Sequence, residues 1–323
     1  MKAVVAERAG APDVLTLKEI AKPDAKAGWV LIQVKAFGLN RAELFTRQGD
    51  SPGVTFPRVL GIEAVGIVES APNTPFEPGQ KVAAIMGGMG RQFNGSYAEY
   101  TLVPESSVFP LETELDWASL GAIPEMFQTV MGSLTVGLEV HAGQTLLIRG
   151  GTSSIGMTTA RLAKDMGLTI LSTTRNPNKR DKLKANGVDH VIIDDGDVAG
   201  QVRELYPDGV DRVLELIGTK TLLNSLKSAK RGGIVCMTGI LGGEWTLSNF
   251  TPMEDIPTGV RLTSYAGEAS DLTKESLQAF VDDVTSGRQT LNLDKIFKLE
   301  ELSKAHRYME SNQASGKVVV VIE

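Results

Sequence analysis

Seven residues near the middle of the chain, Gly150-Gly151-Thr152-Ser153-Ser154-Ile155-Gly156, carry the clearest chemical signal in the sequence. They lie between an apolar run, Thr145-Leu146-Leu147-Ile148-Arg149, and a helical pattern from about Ser154 to Met166. A dinucleotide pyrophosphate needs bare backbone N–H groups and a helix N-terminus aimed at it. A strand, a glycine-rich turn and a helix in succession supply both. Gly150 permits the tight turn, Gly156 lets the helix approach the sheet, and Thr152 and Ile155 complete the backbone cradle. Ser153 stands where the usual fingerprint has its middle glycine. Either Ser153 or Ser154 donates to phosphate directly or caps the helix. A Gly/Ser turn that merely starts a helix would look similar, but the strand–helix repeats beyond it favour a nucleotide.

The end of the next strand bears on which nucleotide. An NAD-binding chain usually places Asp or Glu there, about 20 residues past the loop, to accept from the ribose 2′-hydroxyl. This chain reads Ser172-Thr173-Thr174-Arg175-Asn176-Pro177-Asn178-Lys179-Arg180, with no acid until Asp181. Thr174, Arg175, Lys179 and Arg180 together suit a 2′-phosphate, which favours NADPH over NADH. A solvated helix start is the competing account of any one of these cations.

These residues need elements to hold them. The first 110 or so residues are β-rich, with short β-branched runs such as Trp29 to Lys35 and Val65 to Glu69 punctuated by Pro52-Gly53 and Pro78-Gly79. A helical stretch, Leu120 to Leu138, marks a change of style. From Gln144 strands and helices alternate, with strands near 145–149, 168–173, 188–193, 210–217 and 234–238. That spacing predicts a parallel sheet covered on both faces, an α/β architecture. A helix (272–286), a strand near Phe297, a helix (300–311) and a terminal strand (318–322) follow. The last strand has no partner in the α/β region and is expected to return to the N-terminal part. The segment Val235 to Ile240 is expected to offer a sheet edge through which two copies pair into a homodimer.

Composition narrows the function classes. The chain has 323 residues, 33 Lys plus Arg against 39 Asp plus Glu, and a formal charge of −6. The length suits two domains. An acidic balance without a basic block argues against nucleic acid. No apolar run is long enough to span a membrane, and the start is too short and charged for a signal peptide. The single cysteine, Cys236, fits a reducing compartment and a cytoplasmic location. One Cys and three scattered histidines (His141, His190, His306) leave little with which to hold zinc. Ser153 and Ser154 lack a nearby base, which disfavours a serine nucleophile.

The whole chain resembles the zinc-free quinone oxidoreductase branch (zeta-crystallin-like) of the medium-chain dehydrogenase/reductase superfamily. The resemblance rests on Gly38-Leu39-Asn40-Arg41-Ala42-Glu43, Pro57 to Gly66, Gly95-Ser96-Tyr97-Ala98-Glu99-Tyr100, the glycine loop and Gly316-Lys317-Val318-Val319-Val320. It implies a GroES-like catalytic domain over 1–122 completed by 262–323, and a Rossmann domain over 123–261. In zinc-dependent relatives a Cys lies where Asn40 stands and a His where Ile62 stands, and the four-cysteine lobe has no counterpart here. The resemblance therefore implies no zinc. It implies that Asn40 lies near the nicotinamide and polarises the substrate carbonyl. By the same resemblance Thr129 contacts the nicotinamide ribose or carboxamide, Lys179 contacts the 2′-phosphate, and Gly239-Ile240-Leu241 lie beside the carboxamide.

The tyrosine often paired with that lysine is replaced by Asp194, so Arg175 takes part of its task. Phe45 and Ser51 replace two tyrosines near the substrate pocket, and Tyr265 falls in a region that approaches the active site. Glu63 is a structural acceptor candidate. The implied reaction is zinc-independent hydride transfer from NADPH to a quinone or conjugated carbonyl. The alternatives are a 2-alkenal, enone or enoyl-thioester reductase, and a crystallin-like NADPH-binding protein with little catalysis.

Overall fold

Runs of Val, Ile and Ala bounded by Gly or Pro form the strands of the N-terminal part, because β-branched side chains pack well on a pleated surface. The computed structural model describes residues 1–311 and 313–322. The chain opens with β1 (Lys2–Ala6), β2 (Leu15–Glu19), the long β3 (Trp29–Gly38) and α1 (Arg41–Gln48). There follow β4 (Arg58–Val59), β5 (Glu63–Ser70), β6 (Lys81–Ile85), β7 (Tyr100–Pro104) and β8 (Val108–Pro110). The stretch expected as one helix over 120–138 is instead α2 (Trp117–Gly121), α3 (Pro124–Gly132) and a π-helical turn, Ser133–Gly137. Pro124 has no N–H to continue α2, so a new helix starts at it.

The α/β part runs β9 (Thr145–Arg149), α4 (Ser154–Asp165), β10 (Thr169–Thr174), α5 (Arg180–Ala185), β11 (His190–Ile193) and α6 (Val198–Leu205). It continues with β12 (Val210–Glu215), α7 (Thr219–Ser228), β13 (Ala229–Met237), α8 (Pro252–Asp255) and β14 (Arg261–Ser264). The chain ends with α9 (Lys274–Thr285), β15 (Leu293–Lys298), α10 (Leu302–Glu310) and β16 (Lys317–Val321). Two compact units result, Met1–Gln128 with Gly267–Glu323, and Thr129–Ala266.

In the first unit a seven-stranded sheet has the order β15-β16-β3-β5-β6-β8, with β7 also paired to β3. The terminal β16 lies antiparallel to β3, Val319 opposite Gly38 and Val320 opposite Phe37. Val30, Ile32, Val34, Phe37, Val318 and Val320 meet in its core.

The second unit is a parallel sheet ordered β11-β10-β9-β12-β13-β14. This is the Rossmann order, whose reversal between β9 and β12 opens a crevice beyond the strand ends. Leu146, Ile148, Ile170, Leu214 and Ile234 face one apolar layer. Leu147, Leu171, Val213 and Val235 face the other. Burial on both faces explains why these strands read as continuous apolar runs rather than alternations.

One expectation is corrected. The segment from Val235 has no free edge, because β13 pairs with β12 on one side and β14 on the other. The four residues of β14, which follow the turn Pro257-Thr258-Gly259, take the edge. Among the described residues no helix is long and apolar enough to cross a membrane.

Candidate functional site

The glycine loop leaves β9 at the sheet's point of reversal. Gly150 has φ of 86°, a conformation open to glycine at little cost. Its N–H donates to Thr173 Oγ1 at 3.1 Å, and the Gly151 N–H donates to the Thr173 carbonyl at 3.1 Å. Both bonds pin the loop to β10. Ser153 is the helix cap: its Oγ accepts from the Gly156 N–H at 3.1 Å and donates to the Gly150 carbonyl at 2.8 Å. Its hydroxyl is thereby used within the loop.

A Cβ on Gly156 would fall 2.6 Å from the Gly150 carbonyl oxygen, and one on Gly151 1.8 Å from Ser172 Oγ. The loop backbone is therefore drawn tightly over the first turn of α4. The N–H groups of Ser154 and Ile155 occupy the first helical positions, where helix geometry provides no internal acceptor. Thr152, Ser153, Ser154 and Ile155 are half-buried. This cradle of N–H groups at a helix N-terminus fits a pyrophosphate.

At the end of β10, Thr174 Oγ1 accepts from the Asn176 N–H at 3.1 Å and holds the following turn. Arg175 is exposed and Lys179 half-buried. Neither makes an ion pair among the described residues. Arg180 instead donates to the Val191 carbonyl at 3.2 Å. Asp194, just past β11, pairs with Arg149 Nη2 at 2.9 Å. Beyond β13, Gly239 donates to the Glu215 carbonyl at 3.1 Å and Leu241 to the Leu216 carbonyl at 3.0 Å. A Cβ built on Gly150 would stand 3.3 Å from Leu241 Cδ1, so the segment Gly239-Ile240-Leu241 borders the glycine loop.

Thr129 is largely buried, and its carbonyl accepts from Ser133 Oγ at 2.6 Å. Ser133 Oγ in turn lies 2.9 Å from Thr238 Oγ1, which links the π-turn to the end of β13. Tyr265 is 7% exposed, with its ring over Gly132: a Cβ there would fall 1.9 Å from the Tyr265 hydroxyl. The aromatic ring thus requires a glycine in α3.

In the first unit, Asn40 caps α1 and lies in a buried charged cluster. Its Nδ2 donates to Glu63 Oε1 at 2.9 Å, and its Oδ1 accepts from Lys317 Nζ at 2.5 Å. Lys317 Nζ also lies 3.3 Å from Glu125 Oε2. Glu63 Oε2 accepts the Glu125 N–H at 2.8 Å, and Glu43 accepts the N–H groups of Asn40 and Ile62 at 2.7 and 3.2 Å. Burial, and then the negative charge of Glu63, push the Glu43 carboxyl up to about 8. Burial works against the charged form of Lys317, but Glu63 and Glu125 outweigh it and leave its pKa raised.

A cation at the amide is held on one side and an anion on the other, so the amide has one orientation. Phe45 is half-buried on α1, and Ser51 Oγ lies 2.8 Å from Thr46 Oγ1. His306 is fully buried between Tyr97 and Arg47, His190 lies against Tyr206, and the His141 N–H donates to Gln144 in a turn.

Sequence reasoning missed Lys317, Glu125 and Glu43 as members of this cluster, and Arg149 as the partner of Asp194. The available signal was a lysine immediately before a run of four valines, an odd place for a charge unless it is paired. The donor set near Asn40 does not fit zinc. Among the described residues no group of three or more His, Cys, Asp or Glu is arranged to hold a metal ion, and Glu63 already has Lys317 against it.

Residues 26–113 match the family described as alcohol dehydrogenase GroES-like domain, and residues 186–320 that described as zinc-binding dehydrogenase. The quinone oxidoreductase of Mus musculus is 27% identical over 341 residues, covering 100% of this chain and 98% of the relative. A quinone oxidoreductase of Pseudomonas aeruginosa is 26% identical, covering 97% of both chains. Among solved structures, a quinone oxidoreductase of Pseudomonas syringae superposes with a TM-score of 0.88 at 24% identity over 99% of both chains. A 2-haloacrylate reductase superposes with a TM-score of 0.85 at 24% identity, again over 99% of both.

Proposed function

From the membership of this chain in the quinone oxidoreductase family of the medium-chain dehydrogenase/reductases, an oxidoreductase family, we propose that it is an NADPH-dependent reductase of quinones or other conjugated carbonyls. The observation that carries the cofactor choice is a pair of cations, Arg175 and Lys179, that make no ion pair among the described residues and stand at the end of β10, where an NAD-binding chain has a carboxylate. When bound, the reduced nicotinamide supplies the hydride.

The chain's own residues bind and orient. Ser154 and Ile155 offer their N–H groups to the pyrophosphate, and Gly150, Thr152 and Gly156 keep the cradle open. Thr174, Arg175 and Lys179 take the 2′-phosphate. Thr129 and Gly239 to Leu241 hold the nicotinamide end. Asn40 donates one N–H of Nδ2 to Glu63 and uses the other to polarise the acceptor carbonyl. Phe45 and Tyr265 belong to the substrate side of this proposal. Reduced quinone oxygens are stable enough to take protons from water, so no tuned acid is required, and no step needs zinc.

The proposal is tested by NADPH oxidation in the presence of a panel of quinones and enones. No consumption with any of them would sink it. The same hydride reduces the polarised double bond of a 2-alkenal, enone or enoyl thioester, and one protein of this fold is a 2-haloacrylate reductase. Turnover on a quinone set against an unsaturated aldehyde separates the two. Calorimetric NADPH binding without turnover would favour the crystallin-like alternative. A cytoplasmic location, from the single cysteine, belongs to the same proposal.

A further inference from the structure

We propose that Arg149 sets the cofactor preference of this chain by neutralising Asp194. The inference rests on the assignment of a 2′-phosphate to Arg175 and Lys179. Asp194 follows β11 directly, and its N–H donates to the Thr174 carbonyl at 2.9 Å. It therefore sits about one strand spacing, ~4.8 Å, from the residue that precedes Arg175. A free carboxylate there would repel a phosphate dianion at the end of β10.

The carboxylate is not free. Oδ2 accepts from Arg149 Nη2 at 2.9 Å, and Oδ1 accepts from the Gly196 N–H at 3.1 Å. Arg149 is itself fixed: its side chain is 1% exposed, and Nη1 donates to Asn224 Oδ1 at 2.9 Å and Ser225 Oγ at 3.4 Å. Asp194 can neither swing toward the ribose nor present an unpaired charge. The field at the end of β10 is left to Arg175 and Lys179. Arg149 does this from the last position of β9, one residue before the glycine loop, without itself reaching the phosphate. It is a specificity-determining residue that acts through another.

The test measures dissociation constants of NADPH and NADH for the full chain, in the wild type, Arg149→Gln, Asp194→Asn and the double variant. Arg149→Gln should weaken NADPH about tenfold while leaving NADH unchanged or tighter, because an unpaired carboxylate now faces the phosphate. Adding Asp194→Asn should restore NADPH binding. A restored ratio is the signature that a merely structural arginine would not give. Equal weakening of both cofactors, or a loss that persists in the double variant, overturns the inference. Should Arg149→Gln not fold, Asp194→Asn alone still decides: NADPH must bind as tightly as before or tighter, and weaker binding overturns the inference. A wild type that binds NADH as tightly as NADPH removes the 2′-phosphate assignment and this inference with it. A wild-type preference for NADPH that survives unchanged in Arg149→Gln removes this inference alone.

Discussion

Lys317 Nζ lies 2.9 Å from Glu63 Oε1, with the two side chains 3% and 0% exposed. The contact joins the first residue of β16 to the first residue of β5, across β3. It requires Gly38 between them: a Cβ there would fall 2.3 Å from Lys317 Cε and 2.4 Å from Glu63 Oε1.

Removing this cation leaves the buried Glu63 carboxylate with its hydrogen bonds from Asn40 and the Glu125 N–H but without a counter-charge, which costs far more than losing an ion pair at the surface. Lys317→Met is expected to lower the unfolding free energy by about 3–5 kcal/mol. Urea denaturation of the variant measures it. The double variant Lys317→Met with Glu63→Gln should recover part of the loss, and no recovery would refute the ionic explanation.

Stability should fall on both sides of a plateau in pH. The folded chain keeps Glu43 protonated up to about 8, whereas an ordinary Glu releases its proton near 4.5. The folded state thus binds the extra proton in that window, and stability declines as pH rises through it. His306 runs the other way. Burial, with Arg47 beside it, lowers its pKa from 6.5 to about 3, so the unfolded state binds the extra proton and stability declines as pH falls through that window. Each limb has a slope of up to about 1.4 kcal/mol per pH unit, and the two cancel where the windows overlap. Denaturation midpoints across pH should show Glu43→Gln flattening the alkaline limb and His306→Gln the acid limb.

Gly156→Ala tests the cradle. Its Cβ would meet backbone, the Gly150 carbonyl oxygen at 2.6 Å and Gly151 Cα at 2.8 Å, so the loop rather than a side chain must move. A loss of about 1–3 kcal/mol in stability is expected from the overpacking. NADPH binding should weaken with it. Unchanged binding in calorimetry would mean the loop does not hold the pyrophosphate.

Arg175→Ala and Lys179→Ala test the 2′-phosphate assignment. Each should weaken NADPH about tenfold, the ~1.5 kcal/mol of a charge-assisted hydrogen bond, and leave NADH nearly unchanged. Comparison of the two dissociation constants reads this directly. An equal loss for both cofactors is the outcome the assignment does not survive.

What the sequence determined by itself was local. The glycine loop needs only a strand, a turn and a helix in succession, so its residues are legible from 145 to 166. The cations at 175 and 179 follow from their distance past that loop. Alternation of strand and helix is enough to infer a parallel sheet, because both faces must be covered. The loop alternatives at Ser153 and Ser154 were not separable this way, since both hydroxyls are adjacent; the cap geometry assigns that task to Ser153. The edge of the sheet was not legible either, because β14 is four residues long and its role depends on which strand lies beside it.

What only the tertiary structure decided were pairings between distant residues. Lys317 and Asn40 are 277 positions apart, and Arg149 and Asp194 are 45 apart. No periodicity or spacing brings such groups together; the sheet order does, by placing β16 beside β3 and β11 two strands from β9. His306, in a charged helical pattern, is buried because α10 turns it onto Tyr97 and Arg47. Tyr265 lies on Gly132 in the packing of its own unit. A charge takes its meaning from its partner and from the water it loses, and both are fixed only when the strands take their places.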